Sequence, residues 1–371
     1  MKIFIIQQVI PNYRIPLFNR LNAMSEYDVT LIVATNPEPM AGVKIITDKT
    51  QFKFKVIWLK QKKIFNRFFY FPQLPRYLRQ EKPQTIITQS MYYPGLLATI
   101  YQWLLIKTKK IKIVYWTIPQ FPVRRKFSWL KALAFSFIDA FLIYGEHGIP
   151  ILKSYNIKRK KIFVAYNSLD TEAIFKIQKG LERQNLLPPK YSQRLVFMGR
   201  LIPEKKVDLL LNAFAVIKQT LPQAELIIVG DGPENTKLQQ LAVELGLFGK
   251  IQFIGHIASN QQKAKILLSS GLFVLPGMGG LAINEAMAYG LPIICATADG
   301  TEKQLVYNGV NGYIYQDDNI HDLVSKIKKI ITNPTRQQKM SVNSKRIIKE
   351  KVNLNTMIQG ITQAIIFVNK Q

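Results

Sequence analysis

Apolar and polar positions fall into two alternating rhythms along this chain. In the second half, short and nearly continuous apolar runs appear at Leu195–Met198, Leu226–Val229, Ile251–Ile254, Leu272–Leu275, Pro292–Cys295 and Gly312–Tyr315. Between them lie segments with helical periodicity, among them Val207–Gln219, Asn235–Leu245 and Leu281–Tyr289. Apolar strands separated by helices of this length predict βαβ units and a parallel sheet covered on both faces. The first half repeats the pattern more faintly. Strands are predicted at Lys2–Ile6, Val29–Val33, Lys55–Leu59, Thr85–Thr88, Lys112–Trp116, Ala140–Ile143 and Ile162–Ala165. Helices are predicted at Pro16–Met24, Gln73–Gln80, Gly95–Ile106, Ser128–Phe137 and Ile149–Ser154.

The expected architecture is therefore α/β: two doubly wound parallel-sheet domains in tandem, 1–185 and 190–345, with a terminal segment 346–371 packing back on the first. The polar stretch Lys179–Gln193, with Pro188-Pro189 and no periodicity, reads as the linker. Ligands of such sheets bind beyond the carboxyl ends of the strands, which points to a cleft between the domains. The length of 371 residues suits two domains, and 48% apolar residues exclude wholesale disorder. One cysteine, Cys295, excludes an intramolecular disulfide framework and a cysteine-rich zinc module. The N-terminus MKIFIIQQVIPNYR does not read as a secretory signal. Met91–Ile106 and Phe127–Tyr144 are too short or too interrupted for a membrane span.

Charge adds a second clue. The net charge is +28, and it is uneven: residues 1–190 carry 31 basic and 10 acidic side chains, the remainder 20 and 13. A first half so basic expects an anionic partner, whether nucleic acid, an anionic membrane or a phosphorylated substrate.

Two strand–glycine–helix segments carry candidate chemistry. In Leu195-Val-Phe-Met-Gly-Arg-Leu-Ile-Pro-Glu-Lys205, Gly199 permits a sharp turn, and Arg200 and Lys205 stand between strand end and helix start. Two cations beside a helix N-terminus suit a diphosphate; as an isolated pair they could equally be solvated loop charges. In Pro276-Gly-Met-Gly-Gly-Leu281, Gly277, Gly279 and Gly280 can present consecutive N–H groups to a phosphate. Glu285, in the first turns of the following helix, could accept ribose hydroxyls or simply complement the helix dipole.

In combination these segments are more specific. Gly-Arg-Leu-x3-Lys, then Val229-Gly-Asp-Gly-Pro-Glu234, then Gly280-Leu-x3-Glu-Ala-Met-Ala-x-Gly-x-Pro292, and finally Asn308-Gly-Val-Asn-Gly312, resemble the nucleotide-sugar domain of retaining glycosyltransferases of family 4, the group 1 glycosyltransferases. Val164–Asp170, with Asn167, is similar to the family's strand-end asparagine segment. The resemblance spans roughly residues 140–335. It implies the GT-B fold, two Rossmann-like domains facing across a cleft, and transfer of a sugar from a UDP- or GDP-sugar with retention and without a metal or other cofactor. It further implies that Arg200 and Lys205 hold the donor diphosphate, that Glu285 binds ribose, that Gly199, Gly277, Gly279, Gly280 and Leu281 line the phosphate and sugar site, and that Gly255 and His256 lie near the base. Two departures stand out. The family's Glu-x7-Glu pattern would put a glutamate where Gly277 stands, and Val114–Pro119 lacks the histidine many relatives carry there.

His147, following a strand and beside Glu146, is the candidate catalytic histidine, although a lone histidine is more often structural. Tyr13, Arg14, Glu146 and Asn167 are the acceptor-side candidates; Tyr13 could instead be a hydrophobic staple. Three clusters, Lys60–Phe71, Lys107–Lys112 and Pro122–Lys131, concentrate cations, two of them with aromatics, a mixture suited to the headgroup layer of an anionic membrane. The expected function is transfer to a lipid-linked or other glycan acceptor at the cytoplasmic membrane face, in polysaccharide or glycolipid assembly, with no nucleic acid partner. The alternatives are a degenerate GT-B binding protein, motivated by Gly277, a basic nucleic-acid binder, motivated by the charge, and a GT-B epimerase.

Overall fold

The computed structural model describes residues 1–35, 49–64, 68–89, 108, 110–119, 132, 135–297 and 300–370. The predicted helix Gly95–Ile106, most of Ser128–Phe137 and the Pro122–Lys131 cluster lie outside the described residues, as do parts of the other two basic clusters. The chain forms two compact units. The first comprises Met1–Tyr166 together with Leu354–Gln371, and the second Asn167–Asn353.

The first unit is built on seven parallel strands: β1 (Lys2–Ile6), β2 (Asp28–Ala34), β3 (Lys55–Leu59), β6 (Thr85–Thr88), β7 (Lys112–Thr117), β8 (Ala140–Ile143) and β9 (Ile162–Val164), in the order β3-β2-β1-β6-β7-β8-β9. A separate antiparallel hairpin pairs β4 (Lys62–Ile64) with β5 (Phe68–Tyr70). The alternation of side chains along each strand sorts the core into two layers. Phe4, Ile6, Ile32, Ile86 and Phe141 face one side. Ile3, Ile5, Leu31, Ile87 and Leu142 face the other, under the helices Ile15–Asn22 and Leu354–Asn369. The last helix buries Leu354, Met357, Ile361, Ala364, Ile365 and Val368, an apolar stripe at three- and four-residue spacing. It crosses β9 at Gly360, where an added Cβ would lie 2.1 Å from the Val164 carbonyl oxygen, so only glycine permits that approach.

The second unit has six parallel strands: β10 (Tyr191–Met198), β11 (Glu225–Val229), β12 (Ile251–Gly255), β13 (Ser270–Leu275), β14 (Ile293–Ala296) and β15 (Gly312–Tyr315), in the order β12-β11-β10-β13-β14-β15. Leu195–Phe197, Leu272–Leu275 and Ile293–Cys295 are fully buried, as runs covered on both faces must be.

The crossing between the units is not the predicted linker 179–193. It occurs at Tyr166/Asn167 and again at Asn353/Leu354. Most of 179–193 belongs to regular elements of the second unit: the helix Thr171–Arg183, capped by the Asp170 carboxylate on the Ala173 N–H and anchored by buried Ile174 and Leu181, and the start of β10. The second unit's side of both crossings is tied together by the Ser168 hydroxyl, which donates to the Val352 carbonyl at 3.1 Å. Residues 346–353 likewise stay with the second unit, the helix Pro334–Glu350 ending there.

Candidate functional site

In the second sheet, chain order runs outward from β10 in one direction through β11 and β12, and from β13 in the other. The topological switch point therefore lies between β10 and β13, the position at which sheets of this kind bind their ligands. Those loops are Gly199–Lys206 and Pro276–Gly280, the two glycine segments of the sequence.

Backbone geometry explains the glycines. The Gly199 N–H donates to the Val229 carbonyl and the Leu201 N–H to Asp231, so the two loops continue side by side past the strand ends. A Cβ on Gly230 would fall 1.8 Å from the Gly199 carbonyl oxygen, and one on Gly232 2.3 Å from that of Leu201. Gly230 in turn donates to the Gly255 carbonyl. Three neighbouring strand ends are thus bound closely together, with half-buried Arg200 emerging from the first. Arg200 makes no hydrogen bond or ion pair with any described residue, so its guanidinium is free for a ligand.

Lys205 is placed by a tighter device. The Met278 N–H donates to the Glu204 carbonyl at 2.7 Å. The Lys205 ammonium donates back to the carbonyls of Met278, 2.7 Å, and Gly279, 2.9 Å. Gly277 is buried where the loops touch: a Cβ there would meet the Glu204 carbonyl oxygen at 2.2 Å and the Lys205 carbonyl carbon at 2.7 Å. The base of the loop is held by the buried Tyr315 hydroxyl, which donates to the Pro276 carbonyl. Burial keeps that phenol protonated, with Asp317 and Asp318 adding to the upward push on its pKa.

The helices that start here, Val207–Thr220 and Leu281–Ala288, have no capping side chain; their N-caps are Lys206, in the left-handed conformation, and Gly280. Elsewhere in the unit Asp170, Ser259, Asn319 and Asn333 cap their helices, and the helix Asn235–Glu244 also starts without a capping side chain. Uncapped first-turn N–H groups beside an ammonium form a site for a polyanion. Lys206 itself points elsewhere: its ammonium binds Asp317 and Asp318 at 2.7–2.8 Å, and these hydrogen bonds raise its pKa.

Glu285 is half-buried on the helix Leu281–Ala288, and its carboxylate lies 3.6 Å from the Lys263 ammonium on the helix Asn260–Ser269. Asn284, buried one position earlier, donates from Nδ2 to the Asn167 carbonyl at 2.8 Å. His256 is exposed beyond β12, following Gly255 with its positive φ of 74°. Arg200, Lys205, Gly199, Gly277, Gly279, Gly280, Leu281 and Glu285 thus belong to the two switch-point loops and the helix after the second, and Gly255 and His256 to the neighbouring strand end. Lys263 and Lys206 were not legible as parts of this region. Lys263 sits in a helix with weak apolar periodicity, and the only signal for Lys206 was its place beside Lys205.

In the first unit, Arg14 is only 3% exposed. Its guanidinium lies 4.7 Å from the centre of the Trp116 ring and 5.5 Å from that of Tyr144, donates to the Tyr144 hydroxyl at 2.9 Å and contacts the Met357 sulfur at 3.4 Å. Arg14 is therefore enclosed by the unit's own aromatic residues instead of lying on its surface. Tyr13 stands half-buried beside it, its ring 5.4 Å from the guanidinium. His147 is half-buried in the turn leading into the helix Gly148–Lys153, and the adjacent Glu146 accepts the Tyr166 hydroxyl at 2.9 Å. Among the described residues no helix is long and apolar enough to cross a membrane.

Comparison with known proteins places this geometry in a family context. Residues 178–347 match the family model described as Glycosyl transferases group 1. An uncharacterized glycosyltransferase of Haemophilus influenzae is 30% identical over 179 residues, 47% of this chain and 50% of that protein. The chain spans about half the length, or less, of the first curated relatives it matches. Among solved structures, Anabaena HepE in complex with UDP superposes with a TM-score of 0.72 at 17% identity, covering 98% of this chain and 99% of that one. The lipopolysaccharide outer core galactosyltransferase WaaB, in its apo form, gives 0.72 at 16% identity over the whole of both chains. These likenesses show the fold, which is GT-B: two Rossmann-like units, each on a parallel sheet.

Proposed function

We propose that the chain is a retaining glycosyltransferase that moves a sugar from a UDP- or GDP-sugar to a hydroxyl of a membrane-associated, lipid-linked glycan acceptor, in polysaccharide or glycolipid assembly. The observation that carries this reading is the Lys205 ammonium seated on the glycine loop at the switch point, beside an uncapped helix start and an Arg200 that pairs with none of the described residues. The family match over 178–347 supports the reaction class. The UDP bound by HepE supports the donor class, and the lipopolysaccharide substrate in the name of WaaB supports the acceptor class.

In this reading Arg200, Lys205 and the first N–H groups of the helix Leu281–Ala288 grip the donor diphosphate. Glu285, oriented by Lys263, accepts the ribose hydroxyls, and Gly255 and His256 border the base. The bond between the anomeric carbon and the diphosphate oxygen breaks as the acceptor oxygen bonds to the same face of that carbon. The acceptor's proton passes to the departing diphosphate. Fixed cations stabilise the charge that develops on the leaving group, a role that requires no metal. Tyr13, Glu146, His147 and Asn167 are assigned to the acceptor side, with Arg14 acting through the aromatic wall it organises. The protein works at the cytoplasmic face of the membrane as a peripheral enzyme, held there by its basic first half.

A second reading, donor binding without turnover, is favoured by Gly277. The resemblance implies a carboxylate there, yet the Glu204–Lys205 backbone leaves no space for one. One experiment separates the two. UDP- and GDP-sugars are screened for thermal stabilisation, and any stabilising donor is assayed for transfer to membrane lipid extract with and without EDTA. Stabilisation with EDTA-insensitive transfer supports the enzyme, stabilisation alone the binding protein, and neither overturns both.

A further inference from the structure

In the first unit the carboxyl ends of the strands, the edge that ligands of this fold use, carry a set of buried hydrogen-bond donors. Ile6 of β1 stands opposite Thr88 of β6, and Thr88 stands opposite Tyr115 of β7. One position further on, Gln7, Gln89 and Trp116 therefore form a row across three adjacent strands. Alternation puts this row on the face of Ile3, Ile5 and Ile87, the face to which Trp116 and Met357 belong. The contacts around it agree. Gln89 Nε2 donates to the Tyr144 hydroxyl at 3.0 Å, and Arg14 donates to the same hydroxyl at 2.9 Å. The Arg14 guanidinium also covers the Trp116 ring, 4.7 Å from its centre.

Two members of the row lack an acceptor. Gln7 is 4% exposed and Trp116 1%, and neither Gln7 Nε2 nor Trp116 Nε1 has a hydrogen-bond partner. The Tyr144 hydroxyl accepts twice, from Arg14 and Gln89, which leaves its own proton for a third group. Burial pushes the pKa of that phenol up, so the proton stays in place. A buried N–H without a partner costs the full desolvation of the group, and two in one row call for an acceptor from outside the chain. The groups gathered here are an amide, an indole, a phenol and a guanidinium; all can donate, and one is a cation. Tyr13, Gln89 and Tyr144, which flank the buried donors, keep part of their surface exposed.

We infer that this row recognises an oxyanion, a carboxylate or phosphate borne by the acceptor glycan, with Gln7 and Trp116 as the specificity residues. An oxyanion complements donors beside a cation, because it accepts several hydrogen bonds at once and balances the charge. A neutral hydroxyl would satisfy one donor and then require an acceptor of its own. The assignment rests on the acceptor-side reading above and gives that acceptor a chemical class, an acidic sugar.

The test needs no turnover. The full chain is prepared with isotope-labelled tryptophan, and the Trp116 indole N–H resonance is assigned by its disappearance in Trp116→Phe. The chain is then titrated at constant ionic strength with glucuronate, inorganic phosphate and methyl glucoside. The indole proton should move downfield, saturably, with glucuronate or phosphate and not with methyl glucoside. Gln7→Met removes the amide at similar volume. It should weaken the oxyanion about tenfold or more, the loss of one hydrogen bond to a charged group, and raise the melting temperature of the free chain by removing an unsatisfied donor. A shift with glucuronate alone assigns a uronic acid, one with phosphate alone a phosphorylated sugar, and one with both an oxyanion site of either kind. No shift with any of the three, an equal shift with methyl glucoside, or unchanged affinity in Gln7→Met overturns the inference. Thermal stabilisation by UDP- and GDP-sugars is read on the same samples. Donor stabilisation without an oxyanion response overturns this inference alone; an oxyanion response without donor stabilisation overturns the transferase reading and leaves the binding site.

Discussion

The ammonium of Lys205 lies 2.7 Å from the carbonyl oxygen of Met278, and the Met278 N–H is bonded in return to the residue preceding Lys205. Two loops far apart in sequence are thereby interlocked, and the cation is fixed before any ligand arrives. Fixed charge is the form in which electrostatic stabilisation is most effective, because no reorganisation is needed as the reaction proceeds.

Arg200→Ala and Lys205→Ala should each lower the transfer rate by about 100- to 1000-fold, the usual cost of removing one preorganised donor to developing charge. Initial rates at saturating acceptor measure this, and calorimetric titration with the nucleoside diphosphate should show weakened binding in parallel. Unaltered kinetics in both variants would remove the diphosphate site from consideration.

Gly277 and Gly279 give opposite expectations although they belong to one loop. A methyl group at 277 meets backbone at 2.2 Å, so Gly277→Ala should destabilise the second unit by about 1–3 kcal/mol as the loops are forced apart. At 279 no atom stands within 4 Å of the added Cβ, and Gly279→Ala should be close to neutral. Urea denaturation of the two variants makes the comparison. Equal stability would mean that the loops do not interlock as described.

Arg14→Ala should destabilise the first unit by about 2–3 kcal/mol, through the lost stacking on Trp116 and Tyr144 and the lost charged hydrogen bond to the Tyr144 hydroxyl, which keeps only the Gln89 amide as donor. Arg14→Lys should recover little of this, since an ammonium cannot reproduce a planar guanidinium stacked between rings. Near-ultraviolet circular dichroism and thermal melting report on the cage directly.

The Lys2–Glu81–Lys55 cluster makes stability depend on pH in a defined direction. Hydrogen bonds from Lys2 and Lys55 hold the Glu81 carboxyl below the ordinary carboxylate range. Its contribution is therefore complete above the unfolded-state value and disappears as pH falls through the lowered folded value. Lys2 is shifted upward, first by its hydrogen bond to Glu81, so its contribution holds below the ordinary lysine range and is lost as pH rises through the raised value. Melting temperatures of Glu81→Gln and the unaltered chain should converge in acid and separate slightly at neutral pH. The separation stays small because both side chains are partly solvated.

Much of this architecture was readable from one sequence, for a physical reason. A strand buried on both faces must be apolar throughout, so Leu195–Met198 or Ile293–Cys295 can scarcely be anything else. Turns that bring backbone against backbone demand glycine, which is why Gly230, Gly232 and Gly277 stand in the loops that mark the site. What escaped was whatever depends on partners distant in the chain. The hairpin Lys62–Ile64/Phe68–Tyr70 lay inside a run that read only as basic and aromatic. The true crossing at Tyr166/Asn167 has no composition to distinguish it, whereas 179–193 looked like a linker because its helix end is solvated. Arg14 stood in the sequence as a loop cation, and nothing local revealed the enclosing rings of Trp116 and Tyr144. The Lys263–Glu285 pair joins two helices whose sequences are silent about each other.

The helix Leu354–Asn369 has a consequence for biosynthesis. Met1–Tyr166 leaves the ribosome with part of one sheet face uncovered, because Met357, Ile361, Ile365 and Val368 have yet to be translated. The segment between, Asn167–Asn353, holds every strand of its own sheet and can mature alone. The first unit should therefore be completed only after the second, although its strands are translated earlier.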